Sequence, residues 1–416
     1  MRIIPRRIEL VHLKTPGWKM VYGRRKTGKT FLVKNFLHYD GYFFVNRNGT
    51  ILNVTSGKGL SYEKFRKYFI ERLGKGTIVV DEFHRLPQEF LDLLHAYSPK
   101  GELILITSTL WLAMRLLGER ESPLLGIVTP VRIGLIDERE ILLELSKEVE
   151  GKELVEAAVY LREPILVPLY KPPLREFLAK YLHSSGALVA EMVGETFSEE
   201  ELRLSEVYLA VLHSIADGKS KSTEIGNYLL SGGLIESPSS VQKYLKVLTA
   251  MGLVRKKPIH GKKKRFRYFI ASPLLDLHFY LEAKYAYTEL ETPEEFIRKA
   301  VDEKLPGHVE DFIEGLLAKV YGLRPVSVEK PDLELDIALE GFKRLEIVGE
   351  VKWKNRVRKE EIRKIEEKLW KFDCRRVLIV PSVEVLEREP EGIEVLTPED
   401  LLKLARESLE RGPSAG

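Results

Sequence analysis

Gly23-Arg-Arg-Lys-Thr-Gly28-Lys29-Thr30 is the stretch on which the reading of this chain turns. It matches G-x-x-x-x-G-K-[ST] at every position. An apolar run at 19–22 leads into it and a helical run at 31–37 leads out. Glycines at both ends let the backbone wrap an anion with its N–H groups pointing inward, and the following helix adds its positive N-terminal end. Gly23, Arg24, Arg25, Lys26, Thr27, Gly28, Lys29 and Thr30 are therefore expected to hold a nucleotide, with ATP as ligand. Lys29 is expected to reach the β- and γ-phosphates, and Thr30 to place its hydroxyl on Mg2+.

Such a site needs an acid at the end of a buried strand. Thr77-Ile-Val-Val-Asp81-Glu82 supplies it. Asp81 is expected to hold the metal through water, and Glu82 to act as the base that polarises the attacking water. Leu103-Ile-Leu-Ile-Thr107-Ser108-Thr109 is a further strand ending in hydroxyls, where Thr107 or Ser108 could orient that water. An arginine for the γ-phosphate is not fixed by spacing. Arg115, Arg120 and Arg132 are candidates, and Arg24 and Arg25 sit in the loop itself.

Working outward, apolar runs at 19–22, 42–45, 77–80, 103–107 and 132–135 alternate with helical stretches, as in a parallel α/β sheet. Residues 137–200 read as charged helices broken by Pro164, Pro168 and Pro172-Pro173. Residues 205–272 have the rhythm of three helices and a hairpin. In the third helix Val241, Tyr244, Leu245 and Leu248 share one face, leaving Ser239, Ser240, Lys243 and Lys246 on others. The hairpin carries Arg255, Lys256, Lys257, Lys262, Lys263, Lys264, Arg265 and Arg267. This is the pattern of a winged helix-turn-helix that places a helix in a major groove and a basic wing on the backbone. DNA is the expected partner, through Ser239, Ser240, Lys243, Lys246, Lys262, Lys263, Lys264 and Arg265.

Past a charged linker, a helix bears Glu310. Strand alternation over 333–339 is expected to put Leu333, Leu335, Ile337 and Leu339 on one face, with Glu334 and Asp336 on the other. Glu350-Val351-Lys352 then sets Glu350 and Lys352 on one side of the next strand. Asp336 and Glu350, with Glu310, are candidate metal ligands, and Lys352 a candidate to position or activate water, as Mg2+-dependent phosphodiester cleavage requires.

The ordered set GRRKTGKT, VVDEFHRL, LITSTL and ESPLLG resembles the archaeal ATPase group of AAA+/STAND P-loop proteins. Ile127 follows Gly126 where many members of that group carry an arginine. The segment 270–279 resembles the ending that follows the wing in the same group. The order helix–strand–strand–helix–strand with Asp336, Glu350 and Lys352 resembles the PD-(D/E)xK nuclease fold, with Leu335 rather than proline before Asp336. The resemblance implies an α/β architecture in which a P-loop NTPase parallel sheet is joined to a helical lid, a winged helix-turn-helix and a C-terminal restriction-endonuclease-like domain. The expected division is 1–140 ATPase core, 141–204 helical lid, 205–281 winged helix, 282–304 linker, 305–405 nuclease-like domain and 406–416 tail. The implied function is a Mg2+-dependent ATPase that binds DNA and is equipped to cleave or process it. Two alternatives stand beside it: an ATP-controlled DNA-binding regulator with an inactive C-terminal domain, and a DNA-remodelling motor without cleavage. The unassigned arginine raises assembly into a dimer or ring.

Composition bounds the rest. Of 416 residues, 66 Lys+Arg against 62 Asp+Glu leave a net charge of +4, so any basic surface must come from distribution. A charged fraction of 31% with only two glutamines, Gln88 and Gln242, is what heat adaptation looks like. Cys374 is the only cysteine, which excludes an internal disulfide framework and a cysteine-based zinc knuckle. It is expected at the start of an apolar strand, and the expected compartment is the cytoplasm. No apolar window is long enough to span a membrane, and none is expected as a partner.

Overall fold

The structure is a computed structural model and describes residues 3–98, 100–118, 122–199, 205–329 and 333–411. Arg120 and Glu121, the first residue of the ESPLLG motif, lie outside them. So do 200–204 of the expected lid and 412–416 of the expected tail.

Short runs of β-branched, aromatic and leucine residues build a seven-stranded sheet. Its strands are β1 (Lys19–Tyr22), β2 (Gly41–Val45), β3 (Ile51–Asn53), β4 (Lys58–Leu60), β5 (Thr77–Asp81), β6 (Glu102–Thr107) and β7 (Thr129–Arg132). The order is β4-β3-β2-β5-β6-β1-β7. β2, β5, β6, β1 and β7 run parallel, and β3 and β4 add an antiparallel edge. Helices α1 (Arg7–Leu13), α2 (Lys29–Phe36), α3 (Tyr62–Arg72), α4 (Glu89–Tyr97) and α5 (Leu110–Gly118) flank it. One face is an aromatic core with Phe43, Phe65, Phe69 and Phe90; the other buries Val21, Leu32, Val79 and Ile106. Because β1 is interior, the loop leaving it sits at a crevice beyond the carboxyl ends of its neighbours. The last strand lies earlier than the expected 132–135. Thr129 N–H already donates to Trp18 O, and Pro130 is tolerated because β7 is an edge.

Three helices follow: α6 (Glu138–Leu145), α7 (Gly151–Leu161) and α8 (Leu174–Glu199). Next come α9 (Glu206–Ala216), α10 (Ser222–Ser231), a single 3-10 turn at Pro238–Ser240, α11 (Val241–Ala250) and a hairpin of β8 (Val254–Pro258) with β9 (Phe266–Ile270). Pro238 starts the 3-10 turn, and regular α-helix begins at Val241, so Ser239 and Ser240 precede the third helix rather than lie on it. Helices α12 (Pro273–Tyr285) and α13 (Glu294–Tyr321) lead to a sheet of β10 (Arg324–Pro325), β11 (Ile337–Glu340), β12 (Leu345–Val351), β13 (Arg375–Ile379) and β14 (Glu394–Leu396), ordered as numbered. Helix α14 (Lys359–Leu369) connects β12 to β13, and α15 (Pro398–Glu410) ends the described chain.

Three expectations about this half need correction. The boundary at 304/305 falls inside α13, which runs unbroken through Pro306. Proline forfeits one helical hydrogen bond, but Ile297, Val301, Leu305, Val309 and Phe312 are buried in a common core on both sides of it. The tail boundary at 406 likewise falls inside α15. The alternation over 333–339 breaks at Asp336. Leu333 and Leu335 pack with Val348 and Leu378, whereas Ile337 and Leu339 face the opposite core, because β11 begins only at Ile337. A single apolar cluster runs from α6–α8 through α9–α12 and α13 to α15. A separate cluster lies on the other face of the C-terminal sheet. Cys374 lies half-buried just before β13.

Candidate functional site

The phosphate loop joins β1 to α2. Gly23 is required by close approach: a Cβ there would lie 2.0 Å from the Ile133 carbonyl oxygen. Gly28 caps α2 at φ +88, the left-handed region that glycine enters without cost. The loop is braced from several sides. The Arg6 guanidinium donates to Thr27 O (2.7 Å), Gly134 O (2.7 Å) and Leu135 O (3.0 Å). Thr27 Oγ1 donates to Arg24 O at 2.7 Å. Arg24 is buried against Glu163, which also accepts from Ser272 Oγ at the start of α12. Arg25 pairs with Glu195 of α8 at 3.0 Å, with Lys26 at 3.8 Å from the same carboxylate.

Lys29 folds back on the loop, its Nζ donating to Gly23 O (2.8 Å) and Arg24 O (3.0 Å). Burial lowers its pKa to about 8, against the pull of Glu82 and Asp81. Thr30 Oγ1 donates to Asp81 Oδ2 at 2.9 Å, and Tyr42 OH donates to the same oxygen at 2.6 Å. Burial raises the Asp81 carboxyl above its ordinary value, opposed by those two bonds. Asp81 Oδ1 is buried with no partner. An orphaned carboxylate oxygen beside a threonine hydroxyl at the first turn of a phosphate-binding helix suits Mg2+, a hard cation that takes oxygen ligands and keeps its waters.

Glu82 follows on a left-handed backbone, φ 57, which turns its side chain out of the strand line into the cleft. Ser108 Oγ lies 3.1 and 3.0 Å from its two carboxylate oxygens. Thr107, expected among the nucleotide-binding residues, is fully buried and bonds His84 Nδ1 (3.0 Å) and Thr109 Oγ1 (2.6 Å) instead. Period-2 alternation turns Thr107 inward and leaves Ser108 on the cleft.

Lys29, Thr30, Glu82 and Ser108 line a cleft of about 1040 Å3. The second wall was not expected: Ile3 and Ile4 of the N-terminus and Ile165, Val167 and Pro168 of the α7–α8 connection give an apolar end suited to a base. Arg47 and Arg85 also line the cleft, whereas Arg115 and Arg132 line other depressions. Arg85, three residues past Glu82, is anchored by a bond to Val45 O at 3.0 Å. Its place in the sequence carries no signal of this, because the direction of the Phe83–Arg85 3-10 turn decides it.

In the C-terminal sheet, Asp336 Oδ2 accepts from Val351 N (2.8 Å) and Lys352 Nζ (3.3 Å). Lys352 also donates to Glu350 Oε2 at 2.9 Å, and Lys368 of α14 donates to Glu350 Oε1. Burial works against the Lys352 charge, but Glu350 and Asp336 outweigh it and raise its pKa. Glu310 of α13 is pushed up to about 8 by burial and then by Asp336. Asp336, Glu350 and Lys352 are thus brought together. Glu334, by contrast, points away to Arg267 at 3.1 Å. Among the described residues no group of three or more His, Cys, Asp or Glu side chains is gathered to hold a metal, so Glu310 does not complete such a set with Asp336 and Glu350.

The hairpin cations divide by strand alternation. Arg255, Lys257 and Arg267 pair with Asp311, Glu314 (2.6 Å) and Glu334 of the C-terminal half. Lys262 is held by Glu329 at 2.6 Å. Backbone bonds from Ser327 N to Pro258 O and from His260 N to Ser327 O join the hairpin to that half. Lys246, Lys264 and Arg265 lie together along a separate groove. Ser239, Lys243 and Lys263 are exposed away from it, and half-buried Ser240 bonds Ser237 Oγ at 3.0 Å. No helix among the described residues is long and apolar enough to cross a membrane.

Comparison with known proteins agrees with the first of these sites. Residues 15–142 match the AAA domain family. No curated protein sequence matches the chain. Similar solved structures include a Walker-type ATPase of Pyrococcus abyssi (18% identity, 67% of this chain and 95% of that one, TM-score 0.46). Another is the ORC2 protein of Aeropyrum pernix, in its ADPNP–ADP complexes (18% identity, 72% and 92%, TM-score 0.38). A third is a STAND protein of Pyrococcus horikoshii with a tetratricopeptide repeat sensor (16% identity, 76% and 53%, TM-score 0.29). The family match, over less than half of the chain, and the loop geometry agree that residues 15–142 are similar to an AAA-type P-loop ATPase domain.

Proposed function

We propose that this protein is a Mg2+-dependent ATPase that binds DNA through a winged helix formed by α9–α11 and the β8–β9 hairpin, and that processes it with its C-terminal domain. One observation carries the reading: Lys29, Thr30, Glu82 and Ser108 line a single cleft large enough for a nucleoside triphosphate, with Asp81 bonded to Thr30 behind its wall. When ATP enters, Lys29 exchanges the Gly23 and Arg24 carbonyls for phosphate oxygens, and the loop amides take the remaining charge. Thr30 and Asp81 are the residues that would hold Mg2+, which would neutralise phosphate charge there. Glu82, oriented by Ser108, takes a proton from water as the water oxygen bonds to the γ-phosphorus and the bridging oxygen leaves with ADP. Arg47 and Arg85 line the cleft in cis, so this reading requires no second copy to complete the site. The test is ATP turnover. Wild type should hydrolyse with Mg2+, Glu82→Gln should bind but not turn over, and turnover by Glu82→Gln at the wild-type rate would reject the assignment.

For the C-terminal half, the proposed cleavage site is Asp336, Glu350 and Lys352. One observation favours the second reading, an ATP-controlled DNA-binding regulator: both Glu350 oxygens are already taken by lysines 352 and 368. Cleavage of single-stranded, supercoiled and branched DNA with Mg2+ or Mn2+ separates the two. Cutting lost in Asp336→Ala and Lys352→Ala supports a nuclease, and equal cutting by all three rejects that site. Absence of cutting leaves the regulator and the remodelling motor, and strand separation that survives Glu350→Ala but stops with Lys29→Ala selects the motor.

A further inference from the structure

We propose that a single strand of nucleic acid docks in the groove between the ATPase core and the hairpin, rather than a duplex on the outer face of α11. The inference rests on the nucleic-acid-binding reading and changes where, and in what form, the partner binds. The groove encloses about 900 Å3 and is walled by both halves of the chain. Arg132, Lys221, Lys246, Lys256, Lys264 and Arg265 line it, against the single acid Glu329 at its rim. Lys221 bridges to Glu329 at 3.1 Å. Arg132, Lys246, Lys264 and Arg265 are exposed and have no acidic partner among the described residues. The rest of the hairpin contrasts with this, since Arg255, Lys257, Lys262 and Arg267 are spent on acids of the C-terminal half. Of the hairpin's other cations, Lys256, Lys264 and Arg265 line the groove and Lys263 lies outside it.

The walls also offer flat, apolar faces. Tyr22 is registered beside Arg132 on neighbouring strands β1 and β7, and Phe266, half-exposed, lies under Lys256 Nζ at 4.6 Å. Cations that follow a backbone, interleaved with rings on which bases stack, are the recognition chemistry of a single strand. Duplex is disfavoured by shape. The groove face of α11, with Gln242 and Lys246, is opposed by Leu110 and Met114 of α5. That face cannot enter a major groove about 12 Å wide while α5 stands there.

The test is anisotropy of a labelled strand of about 20 nucleotides, and of the matching duplex, over ~50 to ~200 mM salt without nucleotide. The full chain and two double variants are compared. Lys246→Glu/Arg265→Glu should weaken strand binding at least about tenfold and lower the salt slope by about 1.4, close to 0.7 per contact. Lys243→Glu/Lys263→Glu, on exposed positions outside the groove, should leave both nearly unchanged. Lys264→Ala and Phe266→Ala, milder changes, guard against misfolding and should each weaken the strand. Wild-type binding by the groove variants, loss confined to the outer pair, or preference for duplex would each overturn the proposal. Loss confined to the outer pair or preference for duplex would overturn the groove while nucleic-acid binding stands, whereas no binding of strand or duplex by the wild type would overturn both, so the two readings fail separately.

Discussion

Replacing Glu163 by alanine should be among the most damaging single changes outside the reacting groups. Its carboxylate is 1% exposed and pairs with Arg24 of the phosphate loop, itself 7% exposed. It also accepts from Ser272 Oγ. Deleting it strands a guanidinium in a site that water does not reach. Breaking a buried ion pair from one side costs about 3–5 kcal/mol. At about 2–4 °C per kcal/mol for a unit of this size, the unfolding midpoint should fall by roughly 10 °C. The penalty comes from the unpaired charge, so removing both charges should be far milder. Arg24→Met/Glu163→Leu is expected within about 1–2 kcal/mol of wild type. Thermal unfolding of wild type, Arg24→Met, Glu163→Leu and the double variant completes the cycle, with Glu163→Ala measured beside them. A midpoint for Glu163→Ala within about 2 °C of wild type, or a double variant that loses the sum of both singles, would refute the reasoning.

Further outcomes follow from the same geometry. Ser108→Ala removes the hydroxyl that holds Glu82 and should lower kcat about tenfold with ATP affinity unchanged, since one hydrogen bond to a charged group is worth about 1.5–3 kcal/mol; an unchanged kcat in steady-state hydrolysis would remove Ser108 from the mechanism. Glu140 is buried, and burial, followed by neighbouring Glu9, raises its carboxyl to about 7. Its folded pKa exceeds its unfolded one, so the stability it contributes is full below the ordinary glutamate range and is lost as pH rises through about 7. Glu140→Gln, which keeps the acceptor for Ile8 N, should therefore gain about 2–3 kcal/mol on wild type at alkaline pH and little near pH ~4.5. A pH-independent difference in unfolding midpoint would contradict that sign.

The ATP site was largely legible in the chain because its chemistry is local. The loop, its helix and the Asp81-Glu82 pair each occupy a few consecutive residues whose spacing is itself the signal. What could not be read depends on where distant segments meet. Arg6 reaches Thr27 across the fold, Glu163 reaches Arg24, and the apolar wall at Ile165 and Val167 comes from another module. Ser108 rather than Thr107 faces the cleft because of one step in strand phase. The same sensitivity breaks the expected alternation at Asp336, where the strand begins at Ile337 rather than at Leu333. The division expected at 304/305 falls beside Pro306, yet burial on both sides carries α13 through that proline. The hairpin's cations read as one basic wing, and only the fold reveals which of them are already answered by acids.

Titration calorimetry with ATP and Mg2+ on the purified chain and on Lys29→Ala tests the central claim most directly. Wild type should release heat with a single-site isotherm, and the variant, lacking the amine that meets the phosphates, should give none at the same concentrations. Equal heats from both proteins, or no heat from either, would contradict the account.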